Sequence, residues 1–193
     1  MKNIIHKFFG FLLLKHYVKK ENLELYEYAF VILISTIIHI SISIAIGLIL
    51  NMIWESFFMF ISFFVMRKVT GGFHLNRFWM CTIFSLVVNI ISLHIISMLI
   101  DNESWYLYFL LLISFLSVPF LSPIESPQKP LSGREKTMLK KMSIVLCLIL
   151  SILSIISYNY INCAIGLSLC IGIVIDVCFL YLSRLILIFK KVL

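Results

Sequence analysis

Ile53-Trp54-Glu55-Ser56-Phe57-Phe58-Met59-Phe60-Ile61-Ser62-Phe63-Phe64-Val65-Met66, followed at once by Arg67-Lys68, is the stretch that decides the fold. It is apolar, but short beside the roughly 20 residues of a helical bilayer crossing. Either it crosses, or it dips in and returns on the same side. The charges of the whole chain arbitrate. Upstream, Tyr28 to Met66 is nearly all apolar and long enough for two spans, with the best break between Gly47 and Glu55, around Asn51. Downstream, a third span runs from Phe78 to Ile100, and Asp101-Asn102-Glu103-Ser104 makes an acidic turn. A fourth covers Trp105 to Leu121, a fifth Met142 to Ser157, and a sixth Cys163 to Leu182.

With the short run crossing, all 16 Lys and Arg fall on one face of the membrane. They are Lys2, Lys7, Lys15, Lys19 and Lys20; then Arg67, Lys68 and Arg77; then Lys129, Arg134, Lys136, Lys140 and Lys141; and finally Arg184, Lys190 and Lys191. The opposite face keeps Asp101, Glu103 and Glu55. A re-entrant run would break that partition. The expected fold is therefore all-α, a polytopic bundle of six transmembrane helices over 28–189. Cationic loops face the cytoplasm, so both termini and the polar stretch after Met66 belong there.

Composition agrees. The chain is 62% hydrophobic, 15% aromatic and 13% charged, with a mean hydropathy of +1.08. A soluble domain is about half apolar and about a quarter charged. Residues 1–193 are read as one membrane domain. The net charge of +7 reflects loop topology and not a nucleic-acid partner. Residues 1–27 mix lysines with Ile4, Ile5, Phe8, Phe9 and Phe11 to Leu13. They suit an interfacial amphipathic helix or a helix packed on the bundle. No cleavable leader is apparent, because Lys15 ends the Phe8–Leu14 run and no small-residue cleavage site follows. Cys147, Cys163, Cys170 and Cys178 lie in apolar runs without ligand spacing, and buried thiols act as small hydrophobes. No metal or other cofactor is indicated.

The polar stretch Arg67-Lys68-Val69-Thr70-Gly71-Gly72-Phe73-His74-Leu75-Asn76-Arg77-Phe78-Trp79-Met80-Cys81 is the candidate site. A histidine and a cysteine are the minimum for thiol nucleophile chemistry, with imidazole taking the proton and returning it to the leaving amine. On one continuous helix His74 and Cys81 would stand about 10 Å apart along the axis, so a bend must bring them together. Gly71-Gly72 permits one. Asn76 as N-cap would leave Cys81 in the second turn of the third span. There the helix N-terminus and Arg67, Lys68 and Arg77 favour the thiolate. The plainer reading is an ordinary glycine turn and a packing cysteine.

Arg67 reads either as a snorkelling cation or as a charge that supports the thiolate or grips a substrate carboxylate. Asp176, about two turns from Arg184, is costly inside a membrane span. It either orients His74 or makes a structural polar pair. His39 and His94 read as polar residues facing the bundle interior. Ser122 to Lys141, with its prolines, reads as an extended loop. It is either plain solvated chain or a peptide-binding element. Tyr158 to Asn162 reads as a tight turn.

Arg67-x4-Gly72-x-His74-x6-Cys81 resembles the signature of the AgrB family, membrane peptidases of peptide quorum sensing. Phe78-Trp79, the Ser122–Leu131 proline-and-lysine run and the acid-bearing Gly172–Asp176 stretch are similar to the family as well. Lys129 stands alone where relatives can carry a run of lysines, and Tyr28-Ala29-Phe30 lacks an early glycine. The resemblance implies a cysteine endopeptidase that cuts an AgrD-type propeptide at the cytoplasmic face. Cys81 would be the nucleophile and His74 the general base, with Arg67, Gly72 and Asp176 supporting the site. Lys129 and Pro130 would bind substrate. The acyl-enzyme thioester on Cys81 would be closed to a thiolactone or lactone, and the enzyme would work as a homodimer in the cell membrane. Two other readings stay open. One is a non-enzymatic transporter or scaffold with Asp176, His39 and His94 along its path. The other is an acyl carrier lipidated at Cys81.

Overall fold

The structure, a computed structural model, describes residues 23–71, 78–100, 105–125 and 131–192. The side chains at 23–25, 27–29, 32, 78, 81 and 189–192 fall outside that description. Among the described residues six α-helices follow in order: α1 Leu23–Ile49, α2 Ile53–Thr70, α3 Phe78–Leu99, α4 Trp105–Leu121, α5 Gly133–Ile156 and α6 Cys163–Val192. Among the described residues the only extended pairing is one parallel bridge, Gly71 to Ile124. The all-α membrane fold holds. Thr82–Leu99, Gly133–Ile161 and Cys163–Ile188 are long and apolar enough to cross a bilayer, and Leu33–Ile49 and Trp105–Leu121 are shorter apolar helices.

The chain forms two compact units, Met1–Ile42 and Ser43–Leu193. In the first, α1 is helical from Leu23, earlier than the expected start at Tyr28, and it exposes Leu33, Ile37 and Ile40. The interfacial segment expected over 1–27 lies outside the described residues as far as Asn22.

The second unit is built around α6. Within its 18-residue apolar stretch about 67% of α6 is buried, against 22% in the corresponding stretch of each of the other two long spans. Leu167, Cys170, Ile173, Asp176, Val177 and Leu180 all lie inside. Small residues let the other helices approach. A side chain at Gly172 would collide with Ser62 and the Met59 carbonyl of α2, and Ser62 Oγ donates to the Leu169 carbonyl at 3.1 Å. Ser154 of α5 donates to the Gly166 carbonyl at 2.7 Å. Close backbones and hydroxyl bonds replace the hydrophobic driving force that lipid removes between membrane helices. Outward, Ile83, Val87, Ile91, Phe109, Leu112, Leu116, Val145 and Ile152 are exposed, a belt that suits hydrocarbon and not water.

The run that decides the fold is one unbroken helix. α2 has 18 residues, about 27 Å at 1.5 Å per residue, close to the roughly 30 Å hydrocarbon core. It continues past Met66 and takes in Arg67 and Lys68. The break before it sits where expected: Asn51 has φ 55, and Met52 N donates to the Gly47 carbonyl at 2.7 Å.

Four local expectations are corrected. Residues from Gly133 to Lys141 are helix and not extended loop. Ser132 is an N-cap whose side chain accepts from Glu135 N while the Glu135 carboxylate accepts from Ser132 N. This capping box starts α5 as soon as the prolines end. Tyr158–Ile161 continue α5 as a π-helical turn, Ser157–Ile161, and are not a tight turn. Asn162 then opens α6, its side chain accepting from Ala164 N at 2.8 Å. His94 is exposed on α3, not turned inward, while His39 is half-buried. Of the four later cysteines only Cys147 and Cys170 are buried; Cys178 is exposed.

Candidate functional site

The C-terminal end of α2 carries a buried cluster that includes charged groups. Met66 and Thr70 are fully buried there. Asp176 of α6 is 0% exposed, and its Oδ1 lies 3.8 Å from Arg67 Nη1 and accepts from Thr70 Oγ1 at 3.2 Å. The Arg67 guanidinium stands 5.3 Å from the centre of the Phe179 ring, one turn along α6 from the acid. Phe179 packs edge-on against Phe84 of α3, with 5.5 Å between centroids, and also meets Phe63 of α2. An arginine between a carboxylate and an aromatic face is compensated twice, by charge and by the ring quadrupole. Neither group would be tolerated alone at this burial.

The acid therefore meets Arg67 and Thr70. Arg184, the cation nearer to it in sequence, donates from Nε and Nη2 to the Leu121 carbonyl at 3.3 and 3.1 Å. That contact caps α4 at the point where the chain turns into Ser122–Glu125.

Ser122–Glu125 is a short extended strap laid against the end of α2. Ile124 N donates to the Thr70 carbonyl at 2.9 Å, and Ile124 is itself buried. Gly71 has φ +71, and a side chain there would strike the Ile124 carbonyl. Glycine is thus required twice, for the left-handed backbone and for the close approach. Ser122 Oγ donates to Ser143 Oγ at 2.8 Å, and Lys136 Nζ reaches Glu125 Oε1 at 2.8 Å.

The sequence-based site residues divide into two groups. Arg67 and Asp176 are brought together. Gly72, His74, Lys129 and Pro130 lie outside the described residues, as does Asn76. Cys81 lies on α3, described from Phe78, and its side chain is outside the description. In the chain His74 follows three residues after Gly71, and Lys129 five after Ile124, so both stretches are continuous in sequence with the same strapped junction. Sequence reasoning missed Thr70, Ile124, Phe179 and Phe84. The available signal for Thr70 was a hydroxyl ending an apolar helix immediately before two glycines. Among the described residues no group of three or more His, Cys, Asp or Glu is placed to hold a metal ion.

Comparison with known proteins gives one finding of substance. A family model described as Accessory gene regulator B matches residues 5–182. No curated protein matches, and no solved structure does.

Proposed function

Because the chain belongs to the accessory gene regulator B family, a family of membrane proteins, we propose that it is a cysteine endopeptidase that cleaves and cyclises an AgrD-type propeptide. The match over residues 5–182 carries this reading. The strapped junction at the end of α2 supports it, because it roots both the loop toward His74 and the loop toward Lys129 and Pro130.

In the proposed reaction the Cys81 thiolate attacks the scissile carbonyl of the propeptide. His74 accepts the thiol proton and delivers it to the departing amine as the C–N bond breaks. The N-terminal product stays on Cys81 as a thioester. A thiol or hydroxyl within that product then attacks the thioester carbonyl and expels Cys81 as thiolate, and a thiolactone or lactone ring closes. Ring closure competes with water, so the site must hold the internal nucleophile close to the thioester. Gly72 supplies backbone freedom beside His74, Arg67 and Asp176 support the site from α2 and α6, and Lys129 and Pro130 contact substrate. The site and both termini face the cytoplasm, which agrees with the placement of all Lys and Arg. The enzyme works as one membrane domain per chain and as a homodimer. A transport path lined by Asp176, His39 and His94 is less well supported, because His94 is exposed and Asp176 is 0% exposed.

The test is mass spectrometry of a co-encoded propeptide in liposomes holding wild type, His74→Ala or Cys81→Ala at equal protein levels. Wild type should yield the cyclic peptide, and each variant should lose at least about a thousandfold in rate. Cleavage surviving Cys81→Ala would remove the proposed nucleophile.

A further inference from the structure

Thr70 occupies a position that the reaction as written does not use. Its single hydroxyl proton faces two acceptors, the Met66 carbonyl at 3.0 Å and Asp176 Oδ1 at 3.2 Å. The first is the ordinary back-bond of a helical threonine. The second reaches another helix and a buried carboxylate. The carbonyl of the same residue accepts Ile124 N at 2.9 Å. One residue thus holds the buried acid with its side chain and the strap with its backbone, and it is 0% exposed while doing so.

We infer that Thr70 is a positioning residue: it couples Asp176 in the bundle to the Ser122–Glu125 strap, and so sets where the two loops leave the membrane helices. The inference rests on the peptidase reading for its effect on catalysis. Its structural half stands alone. The other fixings of the strap are a serine pair, an arginine on the α4 terminus and a surface ion pair. None of them reaches Asp176. Thr70 is the one described residue with a hydrogen bond to each side.

Asp176 also has something to gain from the contact. Its Oδ2 is buried without a hydrogen-bond partner, and Arg67 stands at ion-pair distance, not at close bonding distance. The threonine hydroxyl is therefore the nearest described donor to the carboxylate. Removing it leaves the acid to Arg67 alone and frees the last turn of α2 to shift against α6. The Ile124 amide would register that shift, because its acceptor is the carbonyl of the same residue.

The experiment uses full-length protein in nanodiscs, with cleavage kinetics on a co-encoded propeptide and hydrogen exchange over residues 121–125. The variants are Thr70→Val, which keeps the shape and loses the hydroxyl; Thr70→Ser, which restores it; Asp176→Ala; and the Thr70→Val/Asp176→Ala pair. Thr70→Val should lower kcat about tenfold or more with little change in KM. It should also speed exchange at the Ile124 amide by about tenfold. Thr70→Ser should return both to within about twofold of wild type. The double variant should lose no more than the worse single, because both changes break one connection. Wild-type exchange and kcat in Thr70→Val would overturn the inference. So would losses that multiply in the double variant. Wild type that cuts no peptide would count against the peptidase reading, while exchange at Ile124 would still decide the role of Thr70.

Discussion

The two ends of α2 are both tied into the bundle by buried polar groups, with opposite chemistry. At the N-terminal end the tie is neutral. Ser43 and Ser56 hydroxyls meet at 2.8 Å, Ser56 Oγ donates to the Ser43 carbonyl at 2.7 Å, and Asn89 Nδ2 donates to Ser43 Oγ at 2.9 Å. At the C-terminal end the tie is charged, with Arg67 and Asp176 at 3.8 Å and Thr70 as go-between. The neutral knot joins the last turns of α1 to α2 and α3, and the chain there makes an ordinary short turn. The charged knot sits beside Gly71 and the Ser122–Glu125 strap, three residues before His74 and four before Lys129 in the chain. Short hydroxyl and amide groups are cheap to bury once bonded, and they serve as a mount. A buried ion pair is weak as a stabiliser and severe when broken. This pair lies beside Gly71 and the Ser122–Glu125 strap, the junction on which the proposed function draws.

That contrast can be broken by mutation, and the largest effect belongs to the charged end. Asp176→Ala leaves Arg67 without its carboxylate and should cost about 3–5 kcal/mol of stability, read as a lowered thermal transition in detergent. Replacing both, Arg67→Met with Asp176→Ala, should recover part of that stability but not cleavage. If Asp176→Ala unfolds no earlier than wild type, the pair is not what holds this end. Next comes Gly71→Ala. The positive φ and the collision with the Ile124 carbonyl should together cost about 1–3 kcal/mol, with cleavage falling in step.

Smaller effects should follow at the neutral end. Asn89→Ala should cost about 1 kcal/mol, the scale of one interhelical hydrogen bond in a membrane, and should leave kcat and KM unchanged. A clear loss of catalysis in Asn89→Ala would erase the distinction between mount and site. Smallest is Ser132→Ala, which removes the capping box of α5 and should cost about 0.5–1 kcal/mol, detected as faster amide exchange over Gly133 to Lys136. That variant sharpens the comparison because it disturbs the proline loop from its far side without touching the strap.

Much of the fold could be read from the chain because each signal was local. Asn51 ends a helix through its own backbone angle, and Trp105 to Leu121 is helical as its apolar run suggests. The fifth helix began early because the capping box at Ser132 and Glu135 is a local signal too, overlooked beside the prolines. His94 misled because a polar residue in a membrane span suggests an inward face, whereas helix α3 turns that position outward. Among site residues, Arg67 and Asp176 stood out as charges in apolar runs. Thr70 and Ile124 did not, because nothing in a threonine or an isoleucine announces a partner in a distant segment.

The sequence by itself determined the all-α membrane fold, the helix order and the family resemblance. Each depends on composition or on residues close together in the chain, where hydropathy and charge act without reference to the rest. Only the tertiary structure decided that α6 is the central helix, that Asp176 answers Arg67 and Thr70 while Arg184 caps α4, and that Ser122–Glu125 lies against Gly71. Those are pairings across more than fifty residues of chain. They are selected by which close approaches the glycines and serines allow and by which buried charge must find a partner. Both conditions exist only once the helices have packed.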